Sequence, residues 1–398
     1  MIFLLNFAAA WSQWYGNGSI IAGYDSNPFR ITGDAPDFLI APSLAFGYFP
    51  DESPYGISYT AAPTLFASYS ERSYLNHYLD ISCDDYFGEN DGWGIVFSGA
   101  ARHDMPEVDY YDYYQAKLSG YIKLDYAASG ILNAGINARY RNYPNYPALS
   151  NSEESAFISY RRSFVTRTSI MARVFIAAKN YYENIEENSP QPANMKNDIP
   201  QKKEKKKKGN QYGKKWGEEM KDAKSKGNPL EPAITNNNTF ASQIRANLRI
   251  AQSIGAMTGV SLNISATRNL TVDSRSVVPG TVDFYGEDEL FDDPFSYEKN
   301  MARITLTTIL FDDYQIACGG FYSSRSYHYP ADFSGDNPAG RFDEMNGAEI
   351  SVERNYSRSL LGFIDGVGID VYYVSNNSNA GYFDYTGAGL NIGIDITF

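Results

Sequence analysis

Apolar and polar residues alternate one for one along most of this chain, and the alternation restarts again and again. In one stretch Ala116, Leu118, Gly120, Ile122, Leu124 and Tyr126 oppose Gln115, Lys117, Ser119, Tyr121, Lys123 and Asp125. In the next, Leu132, Ala134, Ile136, Ala138 and Tyr140 oppose Asn133, Gly135, Asn137, Arg139 and Arg141. Later Ile244, Ala246, Leu248 and Ile250 oppose Gln243, Arg245, Asn247 and Arg249, and Ala348, Ile350 and Val352 oppose Glu349, Ser351 and Glu353. The chain ends on the same theme, with Ile392, Ile394, Ile396 and Phe398 against Asn391, Gly393, Asp395 and Thr397. A period of two is the signature of a strand with unlike faces. Sixteen strands can be marked, at 17–25, 37–48, 57–69, 77–84, 93–102, 113–126, 131–141, 155–164, 168–179, 240–252, 257–268, 299–310, 314–326, 346–354, 361–374 and 385–398. Pro42 and Pro63 interrupt the early pattern, so fourteen strands is the alternative count.

The connections narrow the architecture. From the sixth strand onward short ones (127–130, 165–167, 253–256, 311–313, 355–360) alternate with long ones (142–154, 180–239, 269–298, 327–345, 375–384). Membrane barrels alternate short turns on one side with long loops on the other, and use strands of about 9–11 residues. A soluble chain seldom ends on a flush amphipathic strand, whereas a closed barrel must pair its last strand with its first and leave no edge. The expected fold is an all-β, transmembrane, antiparallel up-and-down barrel, one domain over 11–398 with both termini on the short-turn side. Periodicity by itself does not say which face is inside.

Composition agrees. Tyr and Gly each occur 33 times and Phe 23 times, which suits strands, tight turns and interfacial aromatics. No run approaches the roughly 18 consecutive apolar residues of a spanning helix, so any membrane crossing is by strands. The net charge of −13 argues against a nucleic-acid partner. Residues 1–10 read as the end of a secretory signal, with Ala8 and Ala10 at −3 and −1 of a cut, although the basic segment is missing and a buried apolar strand is the alternative. Positive charge gathers in 201–227, where eleven Lys stand against four acidic residues. That segment reads as the tip of a disordered loop near 183–238, or as a contact for lipopolysaccharide or another polyanion.

Two short motifs resemble known families. Asn391, Gly393, Ile396 and Phe398 match, in order, the C-terminal signal that hands bacterial outer-membrane β-barrels to their insertion machinery. Gly23-Tyr24-Asp25-Ser26-Asn27-Pro28-Phe29-Arg30 resembles a first-strand motif of several outer-membrane barrel families, among them the barrel portions of surface-lipoprotein assembly modifiers. Those proteins carry a helical-repeat domain that is not represented in this sequence. The resemblance therefore implies the barrel class, the bacterial outer membrane, and its lipids, lipopolysaccharide and assembly machinery as partners, but not that activity.

Candidate chemistry is sparse. The histidines are His77, His103 and His328; His103-Asp104 is the best catalytic pair, but sequence neighbours on a strand point to opposite faces. Asp283, Glu287, Asp288, Glu289, Asp292 and Asp293 could attract a hard cation, yet their spacing fits no defined calcium loop. Cys83 and Cys318 read as small residues of the apolar face, and Tyr110, Tyr111, Tyr113 and Tyr114 as an interfacial belt. No enzymatic activity, metal or cofactor is expected.

The polar face is the more informative one. Lys117, Lys123, Arg139, Arg141, Arg173, Arg245, Arg249 and Arg303 share it on strands six to twelve, and Glu349, Glu353, Asp370 and Asp395 share it on the last three. If it lines the lumen, a basic and an acidic wall confront each other, an arrangement that orients polar solutes and sets ion preference. The alternative is an interior closed by salt bridges or by the long loop. The function expected from the sequence is passive, porin-like passage of small polar solutes. The runner-up is a non-conducting barrel for adhesion, assembly or export.

Overall fold

Every alternating stretch becomes a strand because its two faces meet different surroundings, and the strands join into a single closed sheet. In the computed structural model, residues 13–28, 30, 36–50, 53–88, 90–126, 130–182, 239–271, 293–311, 313–330, 340–361 and 363–397 are described. The strands are β1 (Trp14–Asp25), β2 (Asp37–Tyr48), β3 (Tyr55–Phe66), β4 (Tyr74–Tyr86), β5 (Gly92–Asp104), β6 (Tyr113–Asp125), β7 (Ile131–Asn142) and β8 (Asn151–Ser163). They continue with β9 (Thr168–Tyr181), β10 (Phe240–Ser253), β11 (Thr258–Asn269), β12 (Tyr297–Leu310), β13 (Tyr314–Pro330), β14 (Gly340–Leu360), β15 (Ile364–Ser378) and β16 (Tyr385–Thr397). Each pairs antiparallel with its sequence neighbours, and β1 closes onto β16 from Asn17↔Thr397 to Asp25↔Gly389.

All sixteen expected strands are present, and the count of fourteen is excluded. The largest differences in extent concern β13 and β14. They run on to Pro330 and start at Gly340, so the connection between them is much shorter than the sequence suggests. Polar outward residues such as Ser324, Glu344 and Asn346 break the alternation there without breaking the ladder, since Ser324 still faces Glu344. At the other end β14 reaches Leu360, past a register shift between Asn355 and Leu360, which moves the turn to Leu361 and its neighbours. Leu361 takes a φ of 57°, as the tight reversal demands.

The register defines two faces. One carries Ile20, Leu44, Ile57, Ile95, Leu118, Ile136, Ile158, Ile176, Ile264, Ile304, Ile350, Ile369 and Ile392, all well exposed. The other carries the polar and glycine positions, and it is there that chain from distant loops converges; this is the inner face. Short 3-10 turns between strands, such as Pro106–Tyr111, Pro147–Leu149 and Pro294–Ser296, bring apolar side chains over the long-loop rim. Val108, Tyr111, Tyr113, Tyr143 and Leu149 form one small buried cluster there. Tyr111 and Tyr113 are therefore interior residues and not part of an outward aromatic belt; Tyr114, one position on, points out at 51% exposure.

Residues 1–10, the loop near 183–238 with its Lys-rich tract, and Phe398 lie outside the described residues, so the sequence readings that fall on them are not addressed by the fold.

Candidate functional site

Glycine and aromatic residues at polar-phase positions shape the inner face. Where an inner glycine lacks a side chain, an aromatic ring from the next strand lies across it: Phe157 over Gly135, Phe321 over Gly347 and Tyr372 over Gly389. Each ring then supports a guanidinium from the strand or loop beyond. Arg173 sits 4.3 Å above the Phe157 ring centroid, Arg303 5.3 Å from Phe321, and Arg30 5.5 Å from Tyr372. The cation is drawn to the ring face, and the ring is fixed by the space left where a Cβ is absent. Arg245 rests in the same way between Phe175 and Phe295, at 5.4 and 5.5 Å. The side chains that orient these charges are the aromatics, and sequence reading of charge alone missed them. Their signal was present as Phe157, Phe175, Phe321 and Tyr372 standing in the polar phase of their strands.

At the long-loop rim the cations are buried and tied down. Arg102 is 3% exposed, stacks 3.8 Å over Tyr74, and donates two hydrogen bonds of 2.8 Å to the Asp104 carboxylate. This pairing uses Asp104 on the inner face while His103 points out beside Tyr114, so the two do not form a catalytic dyad. Arg141 stacks 4.4 Å over Tyr113 and donates to Gln115 Oε1 at 2.9 Å. Arg341 lies over Tyr327 and Phe383 and pairs with Asp343. Lys179 meets Asp293 at 2.8 Å with both side chains buried, and the Tyr181 hydroxyl donates to the same carboxylate. Asp293, the one described member of the acidic loop cluster, thus serves an ammonium. Among the described residues no group of His, Cys, Asp and Glu is arranged to hold a metal ion.

Below this rim the charges are more accessible. The register puts Lys117, Lys123, Arg139, Arg141, Arg173, Arg245, Arg249 and Arg303 on one face, and Glu349, Glu353, Asp370 and Asp395 on that same face. They divide into two classes. Arg139 is held by Glu153 at 2.5 Å, Arg141 and Arg245 are engaged at the rim, and Arg303 reaches Glu349 at 3.0 Å across β13. Arg173, Arg249, Glu353, Asp370 and Asp395 are instead exposed, and Lys117 and Lys123 are half-buried. Asp80 and Asp84 on β4 share the inner phase and add to the acidic side; the sequence reading passed over both. Unlike charges therefore occupy opposite arcs: basic on β6 to β12, acidic on β14 to β16 and β4.

No protein-family model matches the chain, and no curated protein matches it in sequence. Its backbone is similar to several barrels of known structure. CdiB from Acinetobacter baumannii aligns at a TM-score of 0.53 and 9% identity, over 96% of this chain and 60% of CdiB. OpdK from Pseudomonas aeruginosa, solved with vanillate, aligns at 0.45 and 7%, over 97% of this chain and 99% of that one. OccK3 (OpdO) of the same organism aligns at 0.47 and 9%, over 100% and 99%. At these identities the likeness is one of fold.

Proposed function

We propose that the chain is an integral barrel of the bacterial outer membrane through which small polar solutes pass passively, in the manner of a porin. The membrane setting is supported by the outer face, where large apolar side chains are exposed all round the barrel. In water such a belt would drive aggregation. In hydrocarbon it is matched to its solvent, and closure without an edge satisfies the backbone internally. Outer-membrane lipids would cover this belt, lipopolysaccharide would meet the long-loop rim, and Asn391, Gly393, Ile396 and Phe398 would serve the assembly machinery.

The observation that carries the pore reading is the exposure of unlike charges on the inner face: Arg173 and Arg249 on one arc, Glu353, Asp370 and Asp395 on the other. An interior packed shut by ion pairs would withdraw these groups from water, because an exposed charge keeps its hydration and a buried one must be paired. Charges held apart across an aqueous lumen create a transverse field that orients polar solutes. The lining residues of this reading are Lys117, Lys123, Arg173, Arg249, Arg303, Glu349, Glu353, Asp370 and Asp395. Purified protein reconstituted in a planar bilayer is expected to give stepwise conductance. Protein that inserts, as judged by protease protection, and stays silent would refute the pore.

A further inference from the structure

The ladder between β2 and β3 is interrupted in mid-wall. Their register runs Leu39↔Phe66 and Ile40↔Leu65, and resumes only at Leu44↔Ala61, so Ala41, Pro42 and Ser43 have no β3 partners. In that same register Pro42 stands opposite Pro63. Facing residues of an antiparallel pair alternate between those that exchange both hydrogen bonds and those that exchange none. The Ala67 N–H donates to the Phe38 carbonyl at 2.9 Å, which places 38/67 at a hydrogen-bonding position of this register and, four residues on, 42/63 at another. On their outer flanks the two prolines fall at non-exchanging positions. The Phe49 N–H donates to Gln13 across β1–β2, and the Asp84 N–H donates to Pro54 across β3–β4, both an odd number of steps away. Both missing N–H groups therefore belong to one seam. What is left there is a pair of carbonyl acceptors without donors, in a gap of about 13–14 Å along the strands.

The rungs of this gap carry small inner side chains: Ala41, Ser43, Ala62 and Thr64. Ala41 and Thr64 are buried, so the upper part of the gap is covered on its inner side. The outer face beside it departs from the apolar rule. Ala61 faces His77 on β4, and His77 Nδ1 lies 2.6 Å from the Tyr59 hydroxyl. His77 is in turn 5.8 Å from His103, and His103 5.8 Å from Tyr114, ring centre to ring centre. A polar track of Tyr59, His77, His103 and Tyr114 thus runs from β3 to β6 beside the lower end of the seam, on the side that meets lipid. Non-helical or unpaired backbone at membrane depth requires a partner. The partner that fits two bare acceptors reached from the bilayer is a hydrogen-bond donor carried on an apolar tail.

We propose that the β2–β3 seam is a lateral binding site that receives the hydroxyl head group of a single-chain amphiphile from the bilayer. The site rests on the membrane reading above but not on conductance. The test is photolabelling of the full chain in phosphatidylcholine vesicles with diazirine-bearing hexadecanol, with mapping of the labelled peptides and a diazirine-bearing hexadecane as control. The alcohol should label peptides from 38–66 at least fivefold above the barrel average, and the hydrocarbon should label evenly. Pro42→Val with Pro63→Val, which restores both donors, should abolish the enrichment. Even labelling by the alcohol, or enrichment unchanged in the double variant, would overturn the site. Should that variant not assemble, Ser43→Cys with Ala62→Cys, in a Cys83→Ser, Cys318→Ser background, ties the seam with a disulfide. Oxidation should then remove the enrichment and reductant restore it, and labelling indifferent to oxidation would overturn the proposal. Vesicle flotation of the same samples separates this failure from failure of the membrane reading, in which the protein would not float.

Discussion

Arg30 offers a sharp test of how the barrel is closed. Asp25, at the top of β1, is fully buried on the inner face. Its carboxylate accepts from the Asn27 N–H at 2.7 Å, from the Tyr372 hydroxyl at 2.5 Å, and from Arg30, whose ion pair measures 2.7 Å. Arg30 itself donates to the Asn27 carbonyl at 2.8 Å, stacks on Tyr372, and occupies the space where Gly387 has no side chain. A residue of the first loop thereby ties β1 to β15 across β16, at the seam where the sheet closes. Replacing Arg30 by Met leaves the Asp25 carboxylate buried with neutral partners only. Removing one partner of a buried pair costs about 3–5 kcal/mol, and Arg30 at 13% exposure is little screened, so about 3 kcal/mol is expected here. If the latch opens before the transition state, unfolding should accelerate about 100-fold, since about 1.4 kcal/mol corresponds to tenfold in rate. The assay is the unfolding rate in detergent and urea, read from the fraction of heat-modifiable protein on a gel. Arg30→Met combined with Asp25→Asn should recover most of the loss, because no charge is then left buried. Wild-type unfolding in the single variant, or a double variant as unstable as the sum of both singles, would refute the latch.

Arg173 and Arg249 are diagonal neighbours, Arg173 facing Asn247 and Arg249 facing Met171. With an ion about 7 Å from each, reversing both charges changes its energy by about 1 kcal/mol at 0.1 M salt, so cation occupancy of the lumen should rise about fivefold, and most of the effect should be lost near 1 M. Reversal potentials in bilayers check this, and unchanged selectivity would show that the two arginines do not line the conducting path. Arg245→Glu, by contrast, should mainly destabilise, since its Nε donates to Gln243 at 2.6 Å beneath Phe295. Deleting Phe398 or replacing it with Asp should lower the amount of assembled protein with synthesis intact, measured by outer-membrane fractionation; full assembly of both would make the C-terminal match a coincidence. Burial raises the pKa of Asp112, which lies just before β6 and accepts from the Asp104 N–H at 2.6 Å. The native state then holds that proton more tightly than the unfolded chain, so its contribution to stability is greatest in acid and is lost as pH rises through the raised pKa. Asp112→Asn should flatten this part of the stability–pH curve, and an unchanged curve would contradict it.

The strands were legible because a period of two repeats over most of them, and because each inward–outward slip of register would put a whole strand's apolar set on the wrong face. Alternation also separated the charged face from the apolar one, and the rhythm of short and long connections read through to an even strand count. Those are local properties, written in neighbours one and two residues apart. The extension of β13 and β14 was not legible, because a ladder carried by backbone hydrogen bonds continues where side-chain alternation stops. Nor did sequence separate Arg245, fixed between two phenyl rings, from Arg249, exposed on the same strand. That difference arises from Phe295, which approaches from a loop about fifty residues further along the chain. The opposition of Pro42 and Pro63 was likewise visible only as two interruptions in the pattern. Register turned them into one gap, because whether a missing N–H weakens a sheet depends on which neighbour it would have met. Alternation along the chain, with the rhythm of its connections, determined that this protein is a barrel with one charged and one apolar face. Which charges stand in water, which are locked, and where the wall is incomplete were decided by closure, since only closure sets the strands and loops that each side chain meets.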